Sequence, residues 1–310
     1  MISEQRFQMS HTFHPNYLKS IEELETLSNS AQTLLEGHET CHSSCLEHQG
    51  YLLFEKLSME LTTLFKLIPG TKPFGDCDTQ RWDFSSAAVL GRQILEDCVT
   101  FLYLIEPKLL VEQMQFREMV WRYHADKESV GIADLYGFLS APLGPQNSVI
   151  ALLKRQAEER LPGSRKKVEN HPCLNYVDAK LRGQIKKGKA NLVLHDGAVL
   201  SRFGITKPFY DAPYKNLSQF VHTSAYSLNQ LPHLKTPSSM AEAHFHLVCI
   251  FVNFLFATSL DEAIRRFEGT KSLNKKIEFI RTRNRGVFET GQNYAAGRST
   301  HPNAQNTKVL

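Results

Sequence analysis

Long apolar runs are scarce in this 310-residue chain. The longest is LVCIFVNFLFATSL, Leu247 to Leu260, interrupted by Asn253 and Thr258. A bilayer-spanning helix needs about 20 apolar residues. The expectation is therefore a buried core helix and no membrane partner. Cysteine is sparse too: Cys41, Cys45, Cys77, Cys98, Cys173 and Cys249 are scattered, too few for a disulfide framework. The opening residues MISEQRFQMS lack the basic-then-apolar order of a secretory leader. Free thiols and a cytoplasmic location are expected. No Walker loop, dinucleotide-binding glycine fingerprint or G-x-S-x-G elbow occurs, which excludes those routes to phosphate binding and acyl transfer, and no cofactor is expected. No repeat of fixed period is present, against a solenoid. No set of alternating apolar and polar residues marks strands.

Helical periodicity fills the space those absences leave. Tyr17, Ile21, Leu24, Leu27, Ala31 and Leu34 recur at three- and four-residue steps. A second helix is predicted from about Glu39 to Leu67, stopped by Pro69-Gly70. Asp83 or Ser85 caps a long helix through Ile105. Further helices are predicted over 107–124, 133–140 and 146–161, the last closed by Pro162-Gly163. Shorter ones follow near 198–204, 209–228 and 273–283, and Ser238 or Ser239 caps one over about 240–267. The expected fold class is all-α: a multi-helix bundle with a flexible basic insertion. The organisation reads as an N-terminal helical segment (1–44) packing on a helical domain (45–285), with the insertion at 163–197 and a disordered tail at 286–310.

Charge divides unevenly. Residues 1–150 hold 11 Lys+Arg against 20 Asp+Glu, and residues 151–310 hold 25 against 12. The total of +4 thus conceals an acidic half and a basic half. The halves either neutralise each other or mark a surface for an acidic partner. The stretch 154–189 has eleven Lys/Arg and four acidic residues, with Tyr176 as its one aromatic residue. It reads as a solvated loop or as a track for a phosphate backbone.

Two helices carry the candidate chemistry. Residues 87–105, AAVLGRQILEDCVTFLYLI, are apolar at thirteen of nineteen positions, yet Arg92 and Glu96 sit one turn apart on them. A buried ion pair must be satisfied. Either it is a polar network fixing helix register, or it lines a pocket with Arg92 as phosphate clamp and Glu96 as base or orienter. On 209–228, Tyr214, Ser218 and His222 recur at steps of four beside an apolar stripe. Such a stripe either orients the imidazole for acid–base work or bonds neighbouring backbone.

DFSSAAVLGRQILEDCVTFLYLIE, followed by FGITKPFYDAPYKNLSQFVHTS, resembles a family of uncharacterised helical prokaryotic domains. Its members carry a D-x-x-S-x-x-x-L-x-R-x-x-x-E helix and a Y-x-x-L-S-x-x-V-H helix. The matching positions are Asp83, Ser86, Leu90, Arg92 and Glu96, then Tyr214, Leu217, Ser218, Val221 and His222. The resemblance implies a helical fold that brings Arg92, Glu96, Tyr214 and His222 together. Such domains are distantly similar to the HEPN bundles of bacterial defence and toxin systems. Many of those are metal-independent ribonucleases with an Arg, four to six residues, then a His. Arg117-EMVWRY-His124 has that spacing, although Glu118 stands where the pattern prefers a small polar residue, and His222 has no Arg at the required distance upstream.

HETCHSSCLEH places His38, Cys41, His42, Cys45 and His48 on one side of a helix. Four ligands from one straight helix cannot surround an ion tetrahedrally, so no metal is expected. Two functions remain. One is a non-catalytic binding or regulatory protein of a defence system. The other is a metal-independent ribonuclease or nucleotide-processing enzyme using Arg92, Glu96 and His222, with Asp83, Tyr214 and Ser218 as binding residues. The expected partners are a nucleic acid or nucleotide at the basic half, a protein, or a second copy of the chain.

Overall fold

Helix starts and stops follow the capping chemistry of the chain. The computed structural model describes residues 12–37, 45–72, 81–107, 109–140, 148–222, 224–268 and 275–295. Among them are α-helices and short 3-10 and π turns, and no strand, so the protein is an all-α multi-helix bundle. The helices are α1 (Pro15–Gly37), α2 (Cys45–Leu67), α3 (Phe84–Leu104), α4 (Val111–Ser140), α5 (Ser148–Glu169), α6 (Ala179–Lys186), α7 (Asp196–Arg202), α8 (Lys207–Val221), α9 (Ala225–Leu234), α10 (Ser239–Ala263) and α11 (Lys275–Ala295). The described residues pack as two compact units, one within 1–41, 50–105 and 200–310 and the other within 42–49 and 106–199.

The first unit is organised by α10. Ser238 caps it by accepting from the Ala241 amide at 3.1 Å. Every residue from Val248 to Asp261 is buried. The helix is long and apolar enough to cross a membrane, and 83% of its most apolar window is buried inside the protein. Its neighbours are α1, α3, α8, α9 and α11. The one amide in the apolar run, Asn253, is fully buried and donates to the Ser20 carbonyl of α1 at 2.8 Å. At the C-terminal end the chain relaxes into a π turn, Ile264–Glu268, that seats Phe267 against Tyr51, Phe54 and Phe101.

Despite its thirteen apolar positions, α3 leaves Val89 46% exposed; the helix buried on every side is α10. Gly91 lets α3 approach α10. A Cβ built there would lie 2.9 Å from Val248 Cγ1 and 3.6 Å from Leu217 Cδ1.

The second unit departs most from the sequence reading. Residues 111–140 form one helix that includes 125–132. α5 does not stop at Pro162-Gly163 but continues to Glu169. Proline removes one helical hydrogen bond, and the buried carboxylate of Asp126 on α4 clamps both sides of the break. It accepts from Arg160 Nε and from Ser164 Oγ, each at 3.0 Å. The basic segment 163–197 holds the end of α5, a 3-10 turn at Pro172–Tyr176, α6 and the start of α7. α6 closes on a Schellman motif: the Gly188 amide donates to Ile185 O and the Lys189 amide to Gln184 O, with Gly188 at φ +67°.

Elsewhere, 209–228 is not one helix. α8 ends at Val221 and α9 begins after Ser224, which exchanges capping-box hydrogen bonds with Ser227. Pro232 lies inside α9, and α11 carries the helix on through 286–295. The remainder of the expected tail, 296–310, lies outside the described residues.

A methyl group at Gly91 has to displace the stiff side chain of Val248. Gly91→Ala is expected to cost about 1–3 kcal/mol of overpacking, partly offset by about 1 kcal/mol of helix propensity. Gly91→Leu should cost more. Urea unfolding of both variants beside wild type checks the order.

Candidate functional site

Asp83 positions the first candidate helix. Its carboxylate accepts from the Ser86 amide at 3.0 Å and from the Ser86 hydroxyl. Capping therefore accounts for the motif's Asp and Ser. α3 and α8 run antiparallel. Phe84 meets Phe220 edge-on at 4.7 Å, Gly91 faces Leu217, and Arg92 reaches Tyr214.

Arg92, Glu96 and Tyr214 form a closed network. Arg92 Nε donates to Glu96 Oε1 at 3.0 Å, and Nη2 donates to Tyr214 Oη at 2.8 Å. The Tyr214 hydroxyl donates to the same Glu96 oxygen at 2.8 Å. The guanidinium also lies 4.8 Å from the Tyr214 ring centroid. The three are half-buried, with Arg92 21% and Glu96 36% exposed. Burial works against the Arg92 charge, but Glu96 and then Tyr214 outweigh it and push its pKa up. Burial and the Glu96 carboxylate push the Tyr214 phenol up as well. Arg92 thus stays charged and Tyr214 stays neutral at neutral pH.

His222 does not join them. It is the C-cap of α8, with extended backbone (φ −98°, ψ 138°) and an exposed side chain. Its amide donates to the Ser218 carbonyl and its own carbonyl accepts from Ser227 Oγ. It lies eight residues beyond Tyr214, about 12 Å along a helix axis, toward the Asp83 end of α3. Ser218 bonds back to the Tyr214 carbonyl at 2.6 Å and faces no partner helix through that hydroxyl. The expected four-residue grouping is therefore three residues, with Asp83 and Ser218 in backbone-supporting roles.

The other His and Cys motifs are also accounted for. Arg117 is buried and paired with Glu106 at 2.6 Å, and His124 Nδ1 sits 3.0 Å from Gly188 O. The Arg-x6-His spacing thus joins two different anchors of the second unit. His244 packs its ring against Phe84 and Phe220. Of the Cys/His run, His38, Cys41 and His42 lie outside the described residues. Among the described residues no group of three or more His, Cys, Asp or Glu is placed to hold a metal ion.

Sequence reasoning missed a carboxylate pair between α2 and α3. Lys56 Nζ bridges Glu60 (3.3 Å) and Asp97 (2.5 Å), and Gln93 donates to Asp97 at 3.1 Å. Only the i,i+4 spacings Lys56–Glu60 and Gln93–Asp97 hint at it locally. Burial, then the Asp97 charge, pushes Glu60 up to about 7, against the pull of Lys56. Burial also pushes the neighbouring Cys98 thiol up to about 12, so it is an inert packing group.

Two outcomes follow. Tyr214→Phe removes two hydrogen bonds between helices and should cost about 1–2 kcal/mol, whereas His222→Ala should stay within about 0.5 kcal/mol of wild type; urea unfolding compares them. Glu60 has a folded pKa near 7 and an ordinary value of 4.5. The folded state then holds more protons between those values, so the Glu60 contribution to stability is fully present below pH 4.5 and is lost as pH rises through 7. Melting from pH 5 to 8 should show that fall, and Glu60→Gln should flatten it. Neither a family model, nor a curated protein, nor a solved structure matches the chain, so the site is read from its own chemistry.

Proposed function

We propose that this chain is a non-catalytic helical binding or regulatory protein, with Arg92, Glu96 and Tyr214 as the polar clamp that holds α3 to α8. The observation behind this reading is the separation of His222 from that clamp. An enzyme built on these residues needs an anion-holding arginine and an acid–base imidazole on one reacting group. Here Arg92 spends Nε and Nη2 on Glu96 and Tyr214, and His222 sits two helical turns beyond Tyr214 on a cap. Glu96 is likewise committed, accepting from both partners through Oε1. Its ring contact and ion pair make Arg92 a fastener between elements.

Growth on induced expression tests this reading, comparing wild type with Arg92→Ala and His222→Ala and running total RNA from each culture. Normal growth and intact RNA are expected in all three. Arg92→Ala should be recognised by lowered thermal stability alone. RNA cleavage by wild type that disappears in soluble, folded His222→Ala would establish a ribonuclease instead.

A further inference from the structure

One stretch of the second unit, 160–189, carries an excess of positive charge. Nine Lys/Arg and two acids occupy residues 160–189. Both acids are spent internally: Glu169 pairs with Arg165, and Asp178 caps α6 through the Lys180 and Leu181 amides. Three elements then bring cations to one cleft of about 480 Å³. α4 supplies Lys127, α5 supplies Arg165 and Lys166, and the end of α6 supplies Lys186 and Lys187; Glu169, paired with Arg165, is the acid on the same lining, and the floor includes Leu161 and Pro162. Lys127, Lys166, Lys186 and Lys187 are exposed and have no ion-pair partner among the described residues.

The cleft is built rather than incidental. The Tyr123 hydroxyl donates to the Lys186 carbonyl at 3.1 Å, and His124 contacts the Gly188 carbonyl. Gly188 has φ +67°, and a Cβ there would meet Lys127 Cγ at 3.0 Å, so the absent side chain gives the lysine stem its place. Like charges that converge in this way repel one another, and an anionic partner relieves the repulsion.

We infer that this cleft binds the phosphate backbone of single-stranded nucleic acid. The inference rests on the binding-protein reading above and names its ligand. Four of the five cations are lysines, which meet phosphates as point charges, and Arg165 is already engaged by Glu169. A concave cleft tracks a chain better than it lies on a membrane. Tyr176, 90% exposed at the other end of α6, offers a free ring on which a base can stack.

The test uses the full chain and a fluorescein-labelled single strand of about twelve nucleotides, read by anisotropy. With about four phosphates contacted, affinity should fall about fifty-fold between 50 and 200 mM salt. Lys186→Gln/Lys187→Gln should weaken binding about tenfold or more and reduce the salt slope. Its melting temperature should be unchanged or raised, because repulsion is removed. Tyr176→Ala should weaken binding at least fivefold without changing that slope. Absence of binding at 50 mM salt, unaltered binding in the double variant, or equal competition by polyglutamate would overturn the inference. A denaturing gel of the recovered strand separates the two readings. An intact, unbound strand removes the nucleic-acid inference and leaves the binding-protein reading standing, whereas a bound and cleaved strand removes the non-catalytic reading and leaves the cleft in place.

Discussion

The apolar circumference of α10 has to be covered on every side, and the first unit is arranged to cover it. A helix buried from Val248 to Asp261 cannot offer a face to water, so α1, α3, α8, α9 and α11 surround it. Several of the polar groups there reach partners on neighbouring segments. Asn253 finds the Ser20 carbonyl, and Asp261 finds Arg265 and Arg281. Close approach needs small residues, hence Gly91 facing Val248. α3 must lie against α10 and α8 at once, and this crowding brings Arg92 within reach of Tyr214.

That geometry bears on function. An arginine and a glutamate one turn apart on a mostly apolar helix suggest a catalytic pair when read alone. Once Tyr214 donates to Glu96 and accepts from Arg92, the same residues form a closed network between two helices. The network ties Arg92 to both helices through Nε and Nη2. The Lys56–Glu60–Asp97 cluster is the more unusual electrostatic feature. Two carboxylates share one lysine in a partly buried place, and one of them titrates near neutrality. Its consequence is a pH dependence of stability rather than a reaction.

The second unit follows a different logic. Its α4–α5 packing rests on Asp126, which holds Arg160 and Ser164. The buried Arg117–Glu106 pair ties α4 to the residues before it, and its rupture would leave an uncompensated charge. Within 160–189 Glu169 is paired and Asp178 caps α6, so the lysines at the ends of α5 and α6 are left in excess and make the cleft they line electropositive.

The sequence by itself determined what depends on neighbours within a turn or two. The all-α class, α1 from its apolar steps, the Asp83 cap and the Arg92–Glu96 contact were legible because a helix sets i,i+3 and i,i+4 distances without help. Local competition was harder to read. The Ser224–Ser227 capping box stops α8 before His222 can continue the Tyr214–Ser218 stripe, and an unbroken 3.6-residue pattern hides that stop. Asp126 carries α5 past a proline that normally ends a helix, and it does so from another helix. The resemblance already groups Tyr214 with Arg92 and Glu96, whereas helix packing alone decides that Glu60 meets Asp97 and that Lys127 joins Lys186 and Lys187. Each of these joins residues on different helices. Their distances are set by how apolar faces pack, and spacing along the chain does not encode that.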